Sequence, residues 1–206
     1  MPIHGLVLDF GGVISDMRWD VAQKLEEEHG LERGAIPRTL YACDEWHEVQ
    51  VGRGDIEAWR LAAHRHLEAA AGKSLPPLHD QWRSSVRLIT ENVDLVRALR
   101  PPYRIAVLSN ADRTLEDRIR TTLRIEHLFD TIVCSAVAGI AKPDHQAYLL
   151  AAERLDLPPE DCLFVDDAER NVTAAQEVGM TAVHYRVHRG DDLRAQLAEH
   201  GIAPAS

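Results

Sequence analysis

Two adjacent carboxylates close one apolar run of this chain, in "CLFVDD", and a third acidic residue closes another, in "GLVLDFGGVISD". At the tip of a buried strand Asp166 and Asp167 repel each other unless a cation or a helix N-terminus compensates them. A hard divalent ion such as Mg²⁺, which takes oxygen ligands and keeps several waters, is the natural compensation. Asp9 faces whatever occupies the crevice beyond its strand, and the glycines that follow it, Gly11 and Gly12, let backbone N–H groups approach an anion closely. It is a candidate nucleophile or metal ligand. "VLSN" ends a third run with the hydroxyl of Ser109 and the amide of Asn110, both able to donate to phosphate oxygens. "GIAKPD" sets Lys142 in a turn-like, otherwise apolar context, where its ammonium can neutralise a phosphate or hold a carboxylate in place. Taken singly, each has an ordinary structural explanation: a turn aspartate, a capping serine, a solvated lysine.

The elements that must position these groups alternate. Apolar runs at Ile3 to Leu8, Tyr103 to Asn110, Thr131 to Ala136, Cys162 to Asp167 and Thr181 to Arg186 read as strands of a parallel sheet buried on both faces. Helical patterns over Arg113 to Leu123, His145 to Leu155, Arg170 to Val178 and Asp192 to His200 lie between and after them. That rhythm predicts an α/β fold, a Rossmann-like doubly wound parallel sheet, with ligands at the C-terminal ends of the strands. The clusters after Leu8, Leu108 and Val165 all fall at such ends. From about Met17 to Ser85 the rhythm breaks into helices with no strand candidate: "VAQKLEEEHG", "RTLYACDEWHEVQ" and "DIEAWRLAAHRHLEAAAG". The expected organisation is a core domain of residues 1–15 and 86–206 and an inserted small α-helical cap of residues 16–85.

The bulk properties narrow the partners. At 206 residues, with 45% hydrophobic and 27% charged side chains, the chain is an ordinary globular one. No apolar run approaches the ~20 residues of a membrane span, and the N-terminus carries no secretory pattern, so no membrane association and a cytoplasmic location are expected. Cys43, Cys134 and Cys162 lack metal-site spacing and read as reduced packing residues. A formal net charge of -10 argues against nucleic acid but leaves room for a small-molecule phosphate ester held by a few local cations. A monomer or weak homodimer is expected.

In their order, "VLDFGGV", "VLSN", "GIAKPD" and "LFVDDAERN" resemble the four motifs of the haloacid dehalogenase (HAD) superfamily, over nearly the whole chain. The likeness is to the subgroup with a small helical cap after the first motif. "LSNADR", "KPDHQAY" and "DDAERNVTAAQEVGMTAV" are similar to bacterial α-D-glucose-1-phosphate phosphatases, in which a glycine also stands two residues after the nucleophile. The resemblance implies a Mg²⁺-dependent phosphatase in which Asp9 is phosphorylated. Ser109 and the neighbouring backbone would hold phosphoryl oxygens, and Lys142 would stabilise the nucleophile and phosphoryl group. The metal would be bound by Asp9, the Gly11 carbonyl, Asp166 and Asp167.

Most family phosphatases carry an aspartate at the position of Gly11, which protonates the leaving group and activates water, worth ~10²–10⁴-fold in rate. Asp16 is the first candidate to replace it; Asp112 and His145 are weaker ones. A good leaving group, as in a sugar 1-phosphate, would suffer least from its absence. In the cap, Trp46, His47 and Arg53 are candidates to meet the substrate or to be core and surface residues. Two rival readings follow from Gly11. One is a 2-haloacid dehalogenase, a class that also lacks this aspartate but needs no Mg²⁺ and keeps no acidic pair. The other is a non-catalytic binding protein with the HAD fold.

Overall fold

The computed structural model describes residues 2–204. Its first strand, β1 (Gly5–Leu8), is buried along its whole length. The chain then forms a short strand β2 (Ser15–Asp16) and five helices, α1 (Trp19–His29), α2 (Ala35–Tyr41), α3 (Asp44–Val49), α4 (Ile56–Ala71) and α5 (Leu78–Ser85). It returns through β3 (Arg87–Leu88) and α6 (Thr90–Ala98) to β4 (Arg104–Ser109). A short α7 (Leu115–Asp117) runs into a π-helical turn (Arg118–Thr122). Then come β5 (Thr131–Cys134), α8 (Ser135–Ala138), α9 (His145–Arg154), β6 (Cys162–Asp166), α10 (Glu169–Glu177), β7 (Thr181–His184) and α11 (Leu193–Glu199).

Five strands form one sheet in the order β5-β4-β1-β6-β7, with every pairing parallel. β1 is central: Leu8 lies opposite Val107 on one side and Val165 on the other, so the tips of β1, β4 and β6 come side by side. Chain order reverses about β1, which makes these tips the ligand crevice of a doubly wound sheet. Two apolar layers cover the sheet. One holds Leu6, Leu8, Val107 and Val165 with α6 and α11; the other holds Val7, Leu108 and Phe164 with α9 and α10.

The helices α1 to α5 share a separate core built on aromatic rings. Trp59 and Trp82 are wholly buried, and each indole N–H finds a carbonyl, Leu40 O at 2.8 Å and Met17 O at 2.7 Å. Satisfying the one polar atom lets so large a side chain be buried without a desolvation cost. Among the described residues no helix is long and apolar enough to cross a membrane. All three cysteines are free and buried.

Two local readings of the sequence differ from the structure, and one feature has no signal in the sequence. "RTLYACDEWHEVQ" is two helices, because Cys43 adopts an extended backbone between α2 and α3. Arg113 to Leu123 is mostly turn and π-helix: the Asp112 carboxylate accepts the Thr114 N–H at 2.9 Å and competes with helical bonding there. The antiparallel ribbon of β2 and β3, which brackets the helical lobe, has two residues per strand, too few to show a period.

Candidate active site

Asp9 follows β1, and its N–H donates to Val165 O of β6 at 2.9 Å, which ties it to the tip that carries the acidic pair. Asp9, Asp166 and Asp167 each present an oxygen within 4.8 Å of the others. Lys142 reaches into the group from the loop before α9. Its ammonium is 2.6 Å from Asp166 Oδ2 and 3.0 Å from Asp9 Oδ1, and its side chain is 1% exposed. The stem passes Phe164, whose ring centre is 5.4 Å from Nζ.

The residues around this centre hold it rigid. Asp166 is fully buried and accepts from the Ala168 N–H at 2.8 Å and from Asn171 Nδ2 at 3.1 and 3.0 Å. His184 Nε2 donates to Asp167 O at 2.9 Å. Gly12 lets Asp167 in: a Cβ there would stand 2.3 Å from Asp167 Oδ2, and its φ of +79° suits glycine. Asn171, His184 and the role of Gly12 were not singled out in the sequence; "DDAERN" held Asn171, but nothing local shows that its amide turns back five residues onto Asp166.

Three carboxylates share one ammonium, and the electrostatics follow from that imbalance. Burial raises Asp9 to about 7; Lys142 opposes the rise, and the charges of Asp166 and Asp167 add to it. Burial and then Asp166 raise Asp167 to about 6. Burial works against the Lys142 ammonium, yet Asp166 and Asp9 outweigh it and hold its pKa above the ordinary value. An all-oxygen donor set with an excess of two negative charges fits Mg²⁺. Asp9 and Asp167 are the better placed ligands, since both oxygens of Asp166 already accept hydrogen bonds.

The other expected site residues divide. Ser109 ends β4 beside β1, 6% exposed, and its hydroxyl makes no hydrogen bond to a described residue. The Asn110 side-chain amide accepts from the Lys142 N–H and donates to the Lys142 carbonyl, both at 2.8 Å, so it positions the lysine. The Gly12 N–H is likewise engaged, by Ser15 O at 2.7 Å, while that of Gly11 makes no hydrogen bond to a described residue. Trp46 belongs to the lobe core, 6% exposed, with its ring 4.8 Å from Trp59 and 5.1 Å from Tyr41. His47 is exposed on α3, and Arg53 pairs with Glu48 at 2.8 Å on the surface.

No candidate for the missing acid joins the cluster. Asp16 accepts the Arg18 N–H at 2.9 Å and lies 3.5 Å from Arg87 Nε across the β2–β3 ribbon. Burial works against Asp112 ionising, but its bonds from Thr114 and the charges of Arg118 and Arg83 hold it below the ordinary carboxylate range, which makes it a poor proton donor. His145 is exposed and pairs with Glu177 at 2.8 Å. The direction a side chain at position 11 would take is filled by Met17, whose Sδ is 3.3 Å from the Cβ position.

A parallel sheet whose three central tips gather an aspartate, a serine, a lysine and an acidic pair defines a hydrolase of the HAD fold. The family model of haloacid dehalogenase-like hydrolases matches residues 3–179, and the chain belongs to that family. A phosphorylated carbohydrates phosphatase of Thermotoga maritima is 30% identical over 115 residues, 56% of this chain and 52% of that protein. An (S)-2-haloacid dehalogenase of Pseudomonas putida is 27% identical over 206 residues, 94% of this chain and 90% of that one. The chain spans between 34% and 52% of the length of four curated relatives that it matches. Among solved structures, a HAD family enzyme of Bacteroides thetaiotaomicron in complex with magnesium and inorganic phosphate superposes with a TM-score of 0.68 at 21% identity, covering 94% of this chain and 98% of that one.

Proposed function

We propose that this chain is a Mg²⁺-dependent phosphatase that hydrolyses a small phosphorylated metabolite through an aspartyl-phosphate on Asp9. The observation that carries the reading is the composition of the cluster, three carboxylates to one ammonium, an arrangement suited to a divalent ion and an anionic substrate together. Asp9 attacks phosphorus with one carboxylate oxygen while the other faces the metal; Oδ1 also meets the Lys142 ammonium and accepts from the Phe10 N–H at 2.7 Å. The ester P–O bond breaks as the new one forms, and the leaving alcohol oxygen takes a proton from solvent; water then attacks the phosphoryl group, the bond between Asp9 and phosphorus breaks, the carboxylate is restored, and phosphate leaves as the water's proton passes to solvent. Ser109 and the Gly11 N–H bind phosphoryl oxygens, and Lys142 stabilises the charge that develops on them. Mg²⁺ would be held by Asp9, Asp166, Asp167 and the Gly11 carbonyl, and when bound would supply charge neutralisation between nucleophile and phosphate.

The absence of an acid at Gly11, with Asp16, Asp112 and His145 engaged elsewhere, supports a substrate whose leaving group depends least on a protein acid. The anomeric oxygen of a sugar 1-phosphate is such a group, and the carbohydrate phosphatase among the relatives supports the class. The test is phosphate release from a broad ester panel with and without Mg²⁺. Release that needs Mg²⁺, runs faster on sugar 1-phosphates than on the matching 6-phosphates and vanishes in Asp9→Asn is the expected result. Equal rates on the two ester classes remove the leaving-group argument. Chloride release from 2-haloacids without phosphatase activity replaces the reading with the dehalogenase one.

A further inference from the structure

From Gly5 to Ser15 every residue is buried except Gly11, which reaches solvent. The reacting groups are graded in the same direction: the side chains of Asp166 and Lys142 are 0% and 1% exposed, whereas that of Asp9 is 13% exposed. The open side of the centre is therefore the side on which Asp9 and Gly11 lie. Glycine brings no side chain to that flank, and Met17 supplies one. A Cβ at Gly11 would stand 3.3 Å from Met17 Sδ and 3.7 Å from its Cγ, and among the described residues, chain neighbours apart, no other atom comes within 4 Å of it. Met17 is half-buried, packed on one side against the aromatic core of the helical lobe.

The backbone that carries Met17 is fixed on both sides. Asp16 pairs with Arg87 in the β2–β3 ribbon, and its carboxylate accepts the Arg18 N–H at 2.9 Å, closing a turn around Met17. The Met17 carbonyl accepts from the Trp82 indole at 2.7 Å, and Trp82 stacks on Trp19 with ring centres 5.0 Å apart. A polarizable thioether held in this way is an apolar wall on the open flank of a centre otherwise made of carboxylates, an ammonium and a hydroxyl. A phosphoryl group at Asp9 engages the polar groups, and the alcohol part that projects from it toward solvent passes Gly11 and has Met17 as its neighbour. We propose that Met17 is a specificity-determining residue whose thioether packs against the leaving group, so that the preferred esters carry a ring with an apolar face directly on the ester oxygen. The wall rests on the phosphatase reading. A pyranose joined through its anomeric oxygen presents such a face of C–H groups, whereas a 6-phosphate sets the ring one carbon further out.

Equilibrium binding tests the wall apart from leaving-group chemistry. Calorimetry on the whole chain with Mg²⁺ compares benzylphosphonate and cyclohexylmethylphosphonate, which place a ring where a ring alcohol would lie, with methylphosphonate. The wild type is expected to bind the ring compounds about fivefold or more tightly, the gain that thioether packing supplies. Met17→Gln, of similar length but polar, loses most of that preference, and Met17→Leu keeps it. A second readout needs no variant: in wild type labelled with ¹³C-methyl methionine, the Met17 methyl resonance shifts on adding benzylphosphonate, through the ring current, and much less on adding methylphosphonate. Should Met17→Gln fail to fold, this resonance decides. Equal affinity for ring and methyl compounds in the wild type, a ring preference that survives in Met17→Gln, or a methyl resonance that does not tell the two ligands apart overturns the wall and leaves the phosphatase reading standing. Failure of every phosphonate to bind overturns the phosphatase reading and the wall with it.

Discussion

Lys142 donates to Asp166 over 2.6 Å, and both side chains are almost wholly out of water, 1% and 0% exposed. The pair is the anchor of the site: Asp166 holds the ammonium where it also meets Asp9, and Asn110 fixes the lysine backbone from the other side. Breaking a buried pair leaves an uncompensated charge, which costs about 3–5 kcal/mol. Lys142→Met, which keeps volume and removes charge, is therefore expected to lower stability in urea unfolding by about that amount without metal. Added Mg²⁺ recovers part of the loss, and no measurable phosphatase activity remains. A variant as stable as the wild type in chelator would show that the ion pair does not hold the carboxylates together.

Gly11→Asp is expected to add an activity. The Cβ of the new side chain stands 3.3 Å from Met17 Sδ, so this flexible thioether has to turn aside to admit the carboxylate. An acid there assists a poor leaving group, so turnover of simple alkyl phosphates should rise about 10- to 100-fold, with a smaller change for sugar 1-phosphates. A uniform change across both substrate classes would mean that proton transfer does not limit the wild-type reaction.

Gly12→Ala acts on the metal site through shape. The added methyl meets Asp167 Oδ2 at 2.3 Å, and the φ of +79° is strained for alanine. Displacing one carboxylate of three is expected to weaken Mg²⁺ binding about tenfold or more, read by calorimetry. Unchanged affinity would remove Asp167 from the ligand set.

His79, 7% exposed in the helical lobe with Nε2 2.9 Å from Thr39 Oγ1, links stability to pH. Burial, and then the charge of His64, lower its pKa from 6.5 to about 4. The unfolded chain thus binds the proton more tightly than the folded one. Stability is complete above pH 6.5 and falls as pH drops toward 4, by up to about 3 kcal/mol. Urea unfolding across that window should show the slope in the wild type and a flatter profile in His79→Gln. Identical slopes would assign the acid loss to other groups.

The sequence by itself determined the fold class and which polar residues stand at each strand tip. Buried strands of a parallel sheet announce themselves as apolar runs, and Asp9, Ser109 and Asp166 stand where those runs end, as local patterning requires. Tertiary structure decided what each polar group touches. An indole and an amide can serve as substrate contacts or as structural groups, and the sequence leaves Trp46 open between the two; the packing of α3 against α4 puts Trp46 in the lobe core, and the approach of the Lys142 loop engages the Asn110 side chain with the lysine backbone. Trp82 meets Met17 across 65 residues, a relation that no periodicity encodes. Local sequence dictates which face of an element is apolar, whereas the neighbours of its polar face depend on how distant elements pack.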